Sequence, residues 1–169
     1  LGYTPVSARG ARATVTFEVT GFTTAPNFLT LDKYTPFTTT IDDTTLSFVN
    51  LAAKTIQPVN GTYTFENIEL VEGVPLQYVF ATDTPGPSEK YVIPNENVDT
   101  STLHIVVQNS VSDTTQTVYN LAEDTLDLTG ASEVYFVEEN SMGMYQIYFG
   151  DGILGKKLSR NNLIIINYV

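Results

Sequence analysis

An acid set among glycines is the first place to look for chemistry. Asp151 stands between Gly150 and Gly152, with Gly155 three residues beyond Gly152. A carboxylate in a glycine turn can contribute to a calcium site. A calcium loop of the EF-hand kind, however, takes oxygen ligands at alternate positions and closes on a distal Glu. Here Ile153, Leu154 and Gly155 follow, and then Lys156 and Lys157. A phosphate-binding loop requires a Lys-Ser/Thr pair and a following helix, and the sequence supplies neither. Gly150, Asp151, Gly152 and Gly155 therefore read as a structural turn, with the glycines at positive φ and Asp151 accepting backbone N–H bonds. Calcium is the one metal that Asp151 and the loop acids leave open.

The other reactive side chains fall short of a catalytic set. His104 is the only histidine. A Ser-His-Asp triad needs a nucleophile and an acid around the imidazole. His104 lies mid-strand, and there is no G-x-S-x-G turn. A histidine-based metal site lacks partners. Asp42-Asp43, Glu123-Asp124 and Glu138-Glu139 are adjacent acids. Glycoside hydrolysis uses carboxylates that face each other across a cleft, whereas neighbours on a strand point to opposite faces. With no cysteine, thiolate zinc sites, disulfides and cysteine nucleophiles are excluded. The reading is a chain with no catalytic residue, no cofactor and no metal, and not an enzyme.

The chain has 169 residues, 42% of them hydrophobic, enough to build a core. It opens on Leu1 rather than Met and reads as one β-rich domain, 1–169, of a larger protein. The Pro94-Asn95-Glu96-Asn97 stretch is the candidate subdomain boundary. The net charge is −11, and no basic cluster exceeds Lys156-Lys157, so nucleic acid is not an expected partner. No apolar run approaches the ~18 residues of a membrane span.

The elements that must position these residues are strands. Thr, Val, Ile, Tyr and Phe abound, and these favour the pleated sheet. Val15, Phe17 and Val19 alternate with Thr14, Thr16, Glu18 and Thr20 over Ala13–Thr20. Thr38–Ile41 and Thr45–Leu51 pair about Asp42-Asp43. Thr62–Leu70 shifts parity at Glu66-Asn67, which predicts a bulge or break there. Leu76–Thr82 and Lys90–Ile93 flank a Pro/Gly loop. Thr102–Gln108, Thr117–Leu121 and Glu133–Val137 follow. One helical turn could sit within Thr114–Asp124. The chain ends in a long hairpin, in which Tyr145–Phe149 and the apolar Leu163–Tyr168 flank the glycine turn. The continuous run Leu163–Ile166 predicts a strand covered on both faces. About ten short strands with frequent turns predict a mainly β fold, an antiparallel sandwich or partly open barrel with at most one or two short helical turns.

A resemblance adds to this reading. Phe149-Gly150-Asp151-Gly152, then Gly155, a polar stretch and a strand ending at Tyr168, resembles the baseplate wedge proteins of contractile-tail bacteriophages, the baseplate J-like family. Leu1-Gly2-Tyr3 and Ala8–Ala13 leading into a Thr/Val strand are similar to the start of that family's β-rich region. Glu72-Gly73, Tyr91–Asn95, Val98–Leu103 and Val134–Val137 follow in the family's order. The resemblance implies a virion structural protein of the tail baseplate, assembled in the host cytoplasm. Its implied partners are other wedge proteins, with a homodimer or higher assembly in the full-length protein. It implies no catalytic residue. The competing reading is a carbohydrate- or ligand-binding β-sandwich, adhesin-like, that uses exposed aromatics and loop acids.

Overall fold

A computed structural model describes residues 7–124 and 126–169. Leu1-Gly2-Tyr3 lies outside the described residues. The fold is mainly β, with strands β1 (Arg12–Val19), β2 (Leu29–Leu31), β3 (Pro36–Ile41), β4 (Thr44–Asn50), β5 (Lys54–Ile56), β6 (Tyr63–Glu72), β7 (Leu76–Ala81), β8 (Tyr91–Val92), β9 (His104–Gln108), β10 (Gln116–Leu121), β11 (Val134–Glu139), β12 (Tyr145–Phe149) and β13 (Leu163–Tyr168). Among the described residues the only helical element is one 3-10 turn, Thr100–Thr102, capped by Asp99, whose carboxylate accepts from Ser101 N–H. Gln116–Leu121, where a helical turn was expected nearby, is strand. No helix among the described residues is long and apolar enough to cross a membrane.

The chain divides into two compact units, Gly10–Pro75 with Val169, and Leu76–Tyr168 with residues 7–9. The expected boundary near Pro94–Asn97 is not where it divides. That stretch lies inside the larger unit because Ile93 before it and Val98 after it are both buried in that unit's core.

In the smaller unit the sheet order is β1-β6-β4-β3, beside a two-stranded β2-β5 pair. Tyr63, Phe65, Ile68 and Leu70 of β6 are buried, and Val15, Phe17 and Val19 of β1 pack on them. The parity shift at Glu66-Asn67 is a β-bulge. Phe17 faces Phe65 and Val15 faces Ile68, so Thr16 alone opposes Glu66 and Asn67. Asn67 takes φ +54° there, and its N–H donates to Thr16 Oγ1 at 3.2 Å. The extra residue returns Ile68 and Leu70 to the core face. Asp42 and Asp43 form the two-residue hairpin loop between β3 and β4, at φ +46° and +63°, the twist such loops require.

The larger unit is one seven-stranded sheet, β7-β13-β9-β10-β11-β12-β8. Its neighbours are antiparallel except β10 and β11, which run parallel. The sheet curls until its two ends approach, a nearly closed barrel. The interior is filled by Ile105, Val107, Tyr119, Tyr135, Ile147, Phe149, Ile164, Ile166 and Tyr168 among others.

The terminal hairpin is not formed. β12 pairs with β11 on one side and β8 on the other, so it has no free edge to offer β13. β13 instead lies between β7 and β9. The connection carries its own anchors. Leu158 is buried in the core, and the Asn162 amide donates to Asn109 O at 2.8 Å while accepting from Ser159 N–H at 2.7 Å. The run Leu163–Ile166 also differs from expectation. Ile164 and Ile166 are fully buried, but Leu163 and Ile165 are only half-buried on the opposite face.

Candidate functional site

Phe149 ends β12 inside the barrel, and the chain must leave it at once. It does so through Gly150, Asp151, Gly152 and Gly155, which fold into a tight loop closed by Gly152 N–H donating to Gly155 O at 3.0 Å. Asp151 Oδ1 accepts from Ile153 N–H at 2.8 Å and Leu154 N–H at 2.9 Å. These bonds, that to Leu154 first, hold its carboxyl below the usual carboxylate range. Gly152 and Gly155 take φ +93° and +85°. Gly150 does not adopt a positive φ. It is glycine because a Cβ there would lie 2.2 Å from the Gly155 backbone. The loop rests on the segment before β11. Gly155 N–H donates to Thr129 O at 3.0 Å and Lys156 N–H to Ser132 O at 2.7 Å. A Cβ on Gly130 would lie 2.0 Å from Gly152 O. The turn is therefore a docked structural element, with Asp151 committed to backbone.

His104 and the acid pairs are not brought together. His104 sits on β9 facing away from the core residues Ile105 and Val107. Asp42-Asp43 lies in the smaller unit. Glu138 meets Lys90 at 3.1 Å and accepts from Gln146 at 2.6 Å. Among the described residues no group of three or more His, Cys, Asp or Glu is placed to hold a metal. The aromatic pair Phe136 and Tyr148 stacks at 5.0 Å on the outside of β11 and β12. Lys90 Nζ lies 3.4 Å from the Tyr148 ring centroid. Phe136 stacks on the Tyr148 ring while the Lys90 ammonium lies over it, so that ring is not a bare platform for a sugar. A groove of about 500 Å³ lies near the start of β9 and the end of β10, lined by Ser7, Arg9, Ser101, His104, Asn120 and Glu123 among others.

A surface feature emerges that residue-by-residue motif reading misses. β7, β13, β9 and β10 are consecutive neighbours, and none of the four carries an Asp, Glu, Lys or Arg. Charged residues make up 16% of the chain. Cross-strand register places Val79, Ile165, Val106 and Val118 in one row. Their neighbours in sequence, Phe80, Ile164, Ile166, Ile105, Val107 and Tyr119, belong to the interior, so this row faces outward. A row of Gln77, Asn167 and His104 flanks it on one side, with Gln77 Nε2 donating to Asn167 Oδ1 at 2.8 Å. On the other side lie Ala81, Leu163, Gln108 and Gln116, with Gln116 Nε2 donating to Gln108 Oε1 at 3.1 Å. Val79 and Val118 are 53% and 50% exposed. No family model matches the chain, and no curated protein matches it.

Proposed function

We propose that the chain is a scaffold domain of a phage tail baseplate wedge, a virion structural protein that works by docking sister subunits and other wedge proteins, with no catalysis of its own. The observation that carries this reading is the state of the Phe149-Gly150-Asp151-Gly152 motif, on which the family resemblance is most specific. Its acid is bonded to backbone, and its glycines serve close packing and loop conformation. The motif acts as a brace. The chain presents strand faces and edges in place of a reactive site. The expected assembly is a homodimer or higher in the full-length protein, located in the tail baseplate.

The test is co-expression of the chain with the products of the genes flanking its own. The scaffold reading expects tail-sheath, tube and hub proteins among those products, and stable co-purification with at least one wedge component. A second reading, a ligand-binding β module, rests on the groove beside His104, whose hydroxyls, amide, carboxylate and guanidinium suit a polyhydroxyl ligand. Saturable glycan binding lost on Glu123→Gln, with no co-purifying tail protein, would replace the first reading with the second.

A further inference from the structure

From the charge-free face of the seven-stranded sheet we infer a specific contact: β7, β13, β9 and β10 form the surface on which a second copy of this chain docks, outer sheet face against outer sheet face. The inference rests on the scaffold reading and names one of its surfaces. The composition of the face is that of an interface centre, with aliphatic side chains in the middle, amides at the margin and formal charge absent. In a chain of net charge −11 that absence selects the occupant. Two copies repel through most of their surfaces, and a face without acids is where they can approach closely. The face is also self-complementary, as a two-fold contact requires. An amide both donates and accepts, so amide row can meet amide row. A two-fold axis along the strands, between β13 and β9, sets β13 over the partner's β9 and β7 over the partner's β10. The row Val79, Ile165, Val106 and Val118 then meets its own copy.

Size sets the strength. Four strands about 4.8 Å apart and five residues at about 3.4 Å rise cover roughly 300 Å² in projection. A standard interface buries about 800 Å² per partner, so the dimer is weak, with association at micromolar or higher concentration. Its salt dependence is distinctive. Salt screens the repulsion between the two acidic chains while no ion pair crosses the face, so association strengthens as salt rises.

The experiment is sedimentation equilibrium of the chain between about 10 µM and 1 mM, at roughly 0.05 M and 0.5 M sodium chloride. The expected result is a monomer–dimer equilibrium that tightens with salt. Val118→Asp and Val79→Asp, both at exposed positions, should each weaken it about tenfold or more while leaving the melting curve in place. Val111→Asp, on a loop of the same unit and 81% exposed, is the control and should leave it unchanged. A monomer at every concentration overturns the inference, as does a dimer that weakens with salt or is indifferent to both strand variants. Co-purification of a monomeric Val118→Asp chain with wedge proteins would leave the scaffold reading standing, so the two failures are distinguishable.

Discussion

The rings of Phe80 on β7 and Tyr91 on β8 lie 5.6 Å apart between centroids, although β7 and β8 are the two opposite ends of the seven-stranded sheet. This pair bridges the seam of the barrel where no backbone ladder does. Tyr91 in turn meets Phe149 edge-on at 6.0 Å, and Phe149 meets Tyr119 at 5.4 Å, so the seam is tied to the interior through a run of aromatic contacts. Phe80→Ala should therefore cost about 2 kcal/mol or more. Amide exchange should accelerate in β7 well before it does in β9, which is flanked on both sides. Equal acceleration in both strands would show that the aromatic seam does not hold the edge in place.

The glycine loop predicts an order among variants. Gly150→Ala places a methyl group against backbone atoms of Gly155 that no rotamer change can move, at an expected cost of about 3 kcal/mol. Gly152→Ala meets no atom closer than 3.8 Å, and only its positive φ is strained, at about 1–2 kcal/mol. Asp151→Ala should have the smallest effect, because its carboxylate is exposed. Its lowered acidity means that its contribution is present above the ordinary carboxylate pKa and is lost as pH falls through the lowered one. Urea unfolding of the three variants at neutral pH checks the order. A reversal of Gly150 and Gly152 would show that conformation, not close approach, governs the loop.

Two other left-handed positions can be improved or broken by design. Asn67 at the bulge should accept Gly with little change, whereas Asn67→Val should cost about 1–2 kcal/mol. Asp43→Gly in the hairpin loop should stabilise by up to about 1 kcal/mol, since Asp-Gly is a favoured pair for such a turn. Thermal melts of the three variants suffice. An Asn67→Val variant as stable as the parent would contradict the bulge geometry.

Local signals in the sequence carried far and then stopped. The alternation of Val15, Phe17 and Val19 and the parity slip at Asn67 are side-chain periodicities, and both survive in β1 and β6 because a strand must bury every second residue. β2 and β5 were not legible, since three residues are too few to display a period. The terminal hairpin failed for a different reason. Gly150 to Gly155 does mark a turn, but which strand pairs with which is a non-local matter. β12 found β11 and β8, and β13 found β7 and β9. The same limit hid the neutral face. That β7, β9, β10 and β13 lack charge can be read in the sequence, but that they are adjacent cannot. Asp151 was readable because an acid between glycines bonds to its own loop whatever the fold.

The tyrosines predict how the chain responds to alkali. Burial pushes the Tyr135 phenol up to about 12. Tyr91 is raised first by desolvation and then by its hydrogen bond to Glu89. Tyr119, Tyr148 and Tyr168 are raised as well, in each case chiefly by desolvation. The folded chain therefore keeps protons that the unfolded chain releases near pH 10. Stability then falls as pH rises, because the unfolded state binds fewer protons. The contribution is complete below about pH 10 and declines between about 10 and 12 for Tyr135. The melting temperature should thus show no tyrosine-linked decline below about pH 9.5 and should drop steeply above 10. Tyrosinate absorbance should show an early component from exposed tyrosines and a later one coincident with loss of the β signal in circular dichroism. Tyr135→Phe should make the alkaline decline shallower. Full tyrosine ionisation near pH 10 with the fold intact would show that these phenols are in contact with water and that the barrel interior is open.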